Sequence, residues 1–144
     1  MTVSSLPAAL RAGAEGLYAL EAATGLIIAH GTWLDRDDDF GRFICHGPGT
    51  AAIDWEAAID ALHAGGLPCS AGERRMLCLA ASLADRAPVS LGEAVADIDD
   101  RSVDLLLTAI RHAGRTTAVP ALVSARVLRP LTSRSAPLRS SGQK

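Results

Sequence analysis

Cys45 and His46 stand side by side, the one place in this chain where a thiol nucleophile adjoins an imidazole base. A Cys–His pair works when the base reaches the thiol by a hydrogen bond. Adjacency along the chain is the wrong geometry for that, and neither G-x-S-x-G nor H-E-x-x-H occurs. The same two side chains are good zinc ligands. Structural zinc, however, uses paired ligands at short separations, each pair forming a chelating turn. His30, His63, Cys69 and Cys78 are scattered, and the two later cysteines read as small buried apolar groups. No catalytic residue, metal ligand or cofactor is therefore assigned. A Cys45/His46-dependent or zinc enzyme is the third of three functional readings.

The acidic run Asp35-x-Asp37-x-Asp39 opens like an EF-hand loop, but Phe40 stands where the sharp turn needs Gly and His46 where the bidentate Glu belongs. A solvated helix face explains those carboxylates. The only lysine is Lys144. A P-loop, whose Lys reaches the phosphates from beside a Gly-rich turn, is excluded, as is an internal Schiff base.

Charge is sorted along the chain. Residues 1–104 hold seven basic and all sixteen acidic residues, a net −9, whereas residues 105–144 hold seven basic residues and no acid, a net +7. An acidic body with a basic arm can contact an anion, a partner or itself. All five aromatics precede residue 56, so the arm has no ring on which a base could stack.

These residues must be positioned by helices. About half the residues are apolar, mostly Ala and Leu, which favours a helical core. Leu10, Leu17, Leu20, Thr24 and Ile27 predict one helix with Pro7 in its first turn and a stop at Gly31. A short helix is expected around Trp33–Ile44, then a loop at His46–Thr50, then a helix from Ile53 to Leu62. Ser70-Ala-Gly-Glu73 and Ser90-Leu-Gly-Glu93 have capping-box spacing and open helices over Arg74–Ala84 and through Val95. Asp99-Asp100 start a helix over Ser102–Ala113, with Val103, Leu106, Leu107 and Ile110 on one face.

The expectation is one all-α domain over residues 5–114, of five or six short helices, and a disordered basic tail at 115–144 rich in Pro, Ser and Arg. Ala121–Leu128 has the composition of one or two turns of docking helix. The core should centre on Leu17, Leu20, Ile27, Phe43, Trp55, Ile59, Leu77, Leu83, Leu106 and Ile110. Three cysteines without C-x-x-C imply a reducing cytoplasm. Met1–Leu10 carries no leader pattern, and Leu17–Ala29 is too short to span a bilayer.

Over residues 14–115, Gly16–Ala22, His30–Leu34, Ile53–Ala58 and Leu67–Glu73 make the chain similar to small uncharacterised helical proteins of high-GC bacteria, a resemblance that implies no activity. Residues 74–115 also resemble the helix, short helix and recognition helix of winged helix-turn-helix regulators, through Pro88-x-Ser90, Ala94 and Ser102. That resemblance implies DNA contact by Arg101, Ser102, Thr108, Arg111 and Arg115, with Asp99, Asp100 and Asp104 repelling phosphates nearby. The leading expectation is a non-enzymatic interaction or regulatory protein, its partner another protein or a second copy of itself, and no membrane. Trp33 and Trp55 are its candidate anchors, since partly exposed Trp is favoured at hot spots, although burial in the core ranks ahead for both. The helix-turn-helix regulator using residues 90–114 stands second.

Overall fold

The computed structural model describes residues 5–85 and 87–115. Of the tail expected at 115–144, residues 116–144 lie outside the described residues. The elements run α1 (Leu6–Ala14), α2 (Tyr18–His30), α3 (Asp37–Phe40), a 3-10 turn (Gly41–Phe43), β1 (Ile44–Gly47), β2 (Thr50–Ile53), α4 (Trp55–His63), α5 (Ala71–Asp85), α6 (Leu91–Ala96) and α7 (Asp100–Ala113). The protein is mostly helical but not all-α, and it has seven helices among the described residues rather than five or six.

The centre is α2. Ala22, Ala23, Thr24, Leu26 and Ile27 are all buried, so apolar residues face inward around most of its circumference. Such a helix must be covered on several sides. Three helices do so: α1, α5 and α7 all pack on it. Its N-terminal side is set by a chain break. The single helix expected over Pro7–His30 is two helices, because Gly16 takes φ +93°, a left-handed conformation that glycine adopts without steric cost. Leu17 consequently sits in the connection and is 61% exposed, not in the core.

Residues 44–53, read as a helix end and a loop, form an antiparallel hairpin with Ile44 opposite Ile53 and Gly47 opposite Thr50. Pro48 and Gly49 (φ +71°) make its two-residue turn, the composition of a type II turn. The strands are four residues long and contain Cys45, His46, Ala51 and Ala52, residues without the β-branched signature that would announce a strand. The Asp54 amide donates to the Phe43 carbonyl at 2.8 Å and closes the hairpin's open end. Helix α1 lies against β2. A Cβ at Gly13 would run into the carbonyl oxygen of Ala51.

Cap chemistry fixes most of the remaining helix starts. Asp54 accepts from the Ala57 amide at 3.0 Å, Ser70 from the Glu73 amide at 3.2 Å and Asp99 from the Ser102 amide at 2.8 Å. The Ser70 capping box is only half formed, because the Glu73 carboxylate is drawn away to Arg36. Ser90 makes no side-chain cap bond at all.

Trp33 is wholly buried, and its indole N–H donates to the Glu73 carbonyl at 3.1 Å. Arg36 lies over its ring at 5.0 Å and pairs with the Glu73 carboxylate at 2.5 Å. Phe40 and Phe43 continue the aromatic stack. This cluster ties the α2–α3 connection to the start of α5.

Gly13→Ala tests the α1–β2 contact. The substitution raises intrinsic helix propensity, yet the overpacked carbonyl dominates, so stability falls by about 1–3 kcal/mol in urea unfolding. An unchanged or raised midpoint would mean that α1 does not approach the strand this closely.

Candidate groove between α1, α2 and α7

Helix α7 runs antiparallel to α2, and a polar contact holds each end. At one end the Arg101 guanidinium donates to the Ala29 carbonyl at 3.0 Å. At the other, His112 Nε2 meets the Glu21 carboxylate at 2.8 Å. The second Glu21 oxygen accepts from the Gly16 amide at 2.8 Å, so this one carboxylate also holds the turn that precedes α2. The His112 hydrogen bond, then the Gly16 amide, pull the Glu21 carboxyl below its ordinary value. Tyr18 packs edge-on against the His112 ring.

Between these end contacts the facing residues of α2 are small: Ala22, Gly25 and Ala29 follow one another at helical spacing. Small side chains fill little of the space between two helix backbones. The result is a groove of about 650 Å³. Its apolar surface comes from Ala22, Gly25, Leu26, Leu105 and Ala109. Charged and polar groups of Arg11, Glu15, Glu21, Thr108 and His112 also line it. A concave, largely apolar site with a few polar groups is the usual form of a binding pocket. A Cβ built on Gly25 meets nothing within 4 Å, so a side chain there would project into open space.

Glu21 and His112 make a carboxylate–imidazole pair, but the nearest hydroxyl on the same helix, that of Thr108, donates its proton to the Asp104 carbonyl at 3.0 Å.

The residues singled out from the sequence fall elsewhere, apart from Thr108. Trp33 is 0% and Trp55 7% exposed, so both belong to the core and neither presents a surface anchor. Of the helix-turn-helix set, Ser102 is buried at the start of α7, while Arg101, Thr108, Arg111 and Arg115 are exposed. Cys45 and His46 occupy neighbouring positions of β1, both exposed, where successive side chains point to opposite faces. Burial pushes the Cys69 and Cys78 thiols up, away from the reactive thiolate form. Among the described residues no group of three or more His, Cys, Asp or Glu is placed to hold a metal ion. No described helix is long and apolar enough to cross a membrane. His30 Nδ1 is buried with no hydrogen-bond partner. Desolvation, helped by Arg101, lowers the pKa of that ring.

The chain matches no protein-family model, no curated protein and no solved structure.

Sequence reasoning passed over the groove. Its signal is the Ala22, Gly25, Ala29 series on a helix otherwise rich in large apolar residues.

Because the folded Glu21 carboxyl is held below its ordinary value of 4.5, its contribution to stability is present above that value. The contribution is lost as pH falls through the lowered folded value. Glu21→Gln should therefore lower the melting temperature at pH 7, and the two melting curves should converge in acid. A difference that stays constant down to pH 3, on the order of one unit below the ordinary carboxylate range, would show that the ionised carboxylate adds nothing.

Proposed function

We infer that this is a non-enzymatic interaction or regulatory protein that receives the apolar side of a partner in the α1–α2–α7 groove. The observation carrying the reading is the groove itself: about 650 Å³, apolar in its lining and bordered by Arg11, Glu15 and the Glu21–His112 pair. The small residues of α2 let an incoming chain approach the helix backbone closely. Leu26 and Leu105 supply apolar contact. Charged groups of both signs at the border suit the polar edge of an amphipathic helix, the helix-in-groove mode of recognition.

A substitution at Gly25 separates binding in the groove from binding elsewhere. The dye 8-anilinonaphthalene-1-sulfonate pairs an apolar ring system with an anion that Arg11 can meet. The full chain should bind it at a single site with enhanced fluorescence. Gly25→Leu should abolish that signal while keeping the helical circular dichroism, and should stabilise the fold by up to about 1 kcal/mol through helix propensity. Undiminished dye binding by a folded Gly25→Leu protein would defeat the reading.

A second reading has one observation in its favour. Helices α6 and α7 are joined by three residues, Asp97–Asp99, the connection length of a helix-turn-helix. In that reading Arg101, Thr108, Arg111 and Arg115 face DNA, with Asp99, Asp100 and Asp104 opposing them. It calls for duplex DNA affinity that falls steeply with salt in fluorescence polarisation and weakens in Arg101→Ala. We expect no such affinity from the described helices, because Arg101 is committed to the Ala29 carbonyl.

A further inference from the structure

Helix α7 carries an apolar stripe on the side turned away from α2. Val103, Leu107 and Ile110 recur at i, i+4 and i+7. Leu107 is 55% and Ile110 43% exposed, so the interior position expected for Ile110 is not realised. The buried face has rotated to Ser102, Leu106 and Ala109.

Four charges line one edge of this stripe. Asp100, Asp104, Arg111 and Arg115 follow one another at steps of four, seven and four residues, and all four are exposed. At about 100° of rotation per residue, each falls within about 80° of Leu107, on the side away from Ile110. Among the described residues none of the four forms a salt bridge. Their local pairing is unfavourable, since Asp100 with Asp104 and Arg111 with Arg115 are like charges at i, i+4. The helix dipole accounts for acids at the start of α7 and bases at its end. It does not account for their standing in one row beside exposed leucine and isoleucine. The row is also antisymmetric. About the point between Leu107 and Thr108, each acid is matched by a base at the same distance on the other side.

We propose that this face of α7 pairs with the same face of a second copy of the chain, the two helices running antiparallel about a two-fold axis beside Leu107. A two-fold contact requires a surface complementary to itself. An antisymmetric row of charge along an apolar stripe is such a surface. The two-fold brings both charged edges to the same side of the seam, so Asp104 faces Arg111 of the second copy and Asp100 faces Arg115, each pair occurring twice. Along the seam Leu107 meets Leu107 at the axis, and Ile110 of each copy lies between Leu107 and Val103 of the other. A parallel pair would put the charged edges on opposite sides and leave them unmatched. Leu105, Thr108, Ala109 and His112 line the groove from the other flank of α7, so the two surfaces share no side chain.

Sedimentation equilibrium of the full chain reads the pairing. The seam is short beside a permanent interface of about 1,200–2,000 Å², so the mass should rise from one chain to two between about 10 µM and 1 mM and go no further. Asp104→Arg alone sets guanidinium against guanidinium across the seam, and Arg111→Asp alone sets carboxylate against carboxylate. Each should weaken the pair at least about tenfold while keeping the helical circular dichroism, both positions being exposed. Mixed in equal amounts, the two variants should recover the pair, because each supplies the charge that the other lacks. The two reversals combined in one chain should recover it as well. A chain that stays single up to about 1 mM, a mass that climbs past two chains, or a dimer insensitive to either reversal would overturn the proposal. So would weakening in both variants with no recovery in the mixture. Dye binding in the groove is a separate signal, so either reading can fail without the other.

Discussion

The structure depends on hiding α2. A helix with buried residues around most of its surface cannot stand at the edge of a small domain, so the rest of the chain is arranged to cover it. The turn at Gly16 folds α1 back alongside it, and α5 and α7 close the other sides. The Glu21 carboxylate joins these arrangements, since it accepts from the Gly16 amide and meets His112, 91 residues further along the chain. Arg101 at the opposite end of α7 completes the clamp. The hairpin supports the same centre from outside, because α1 can lie on β2 only where Gly13 has no side chain.

The covering is incomplete where α2 is narrow. Helices α1, α2 and α7 leave a trench at Ala22 and Gly25, with Leu26 and Leu105 in its lining. Protein interiors pack densely, and an open apolar space of this size forgoes the contacts that would otherwise stabilise it. A leucine at Gly25 would fill part of it without a clash. That the chain has glycine there is understandable if the space is used.

Much of the helical framework was legible before any coordinates. The helices over 71–85 and 100–113 follow from apolar periodicity, and Ser70 and Asp99 mark their starts with realised cap bonds; the helix expected from Ile53 starts two residues later, with Asp54 as its cap, and the one expected from a Ser90 capping box forms without that cap bond. What failed was non-local. Nothing in Cys45, His46, Ala51 or Ala52 favours a strand; those residues pair because the Pro48-Gly49 turn brings them together under α1. Leu17 fits a helical stripe that exists only if the chain runs straight through Gly16. Leu106 and Ile110 share an apolar stripe, yet α7 is seated on α2 through Leu106 and Ala109, which leaves Ile110 outside. The groove was illegible for the same reason: small residues on one helix become a cavity only when another helix is held across them.

The most direct test of the account is a two-dimensional amide NMR titration of the full chain with decyl sulfate, a single-chain anionic amphiphile kept below its micelle concentration. The account predicts saturable shifts concentrated at Ala12, Ala22, Gly25, Ala29 and Ala109, the groove residues of α1, α2 and α7. Shifts centred on Leu91, Val95, Leu107 and Ile110, or no saturable shifts at all, would contradict it.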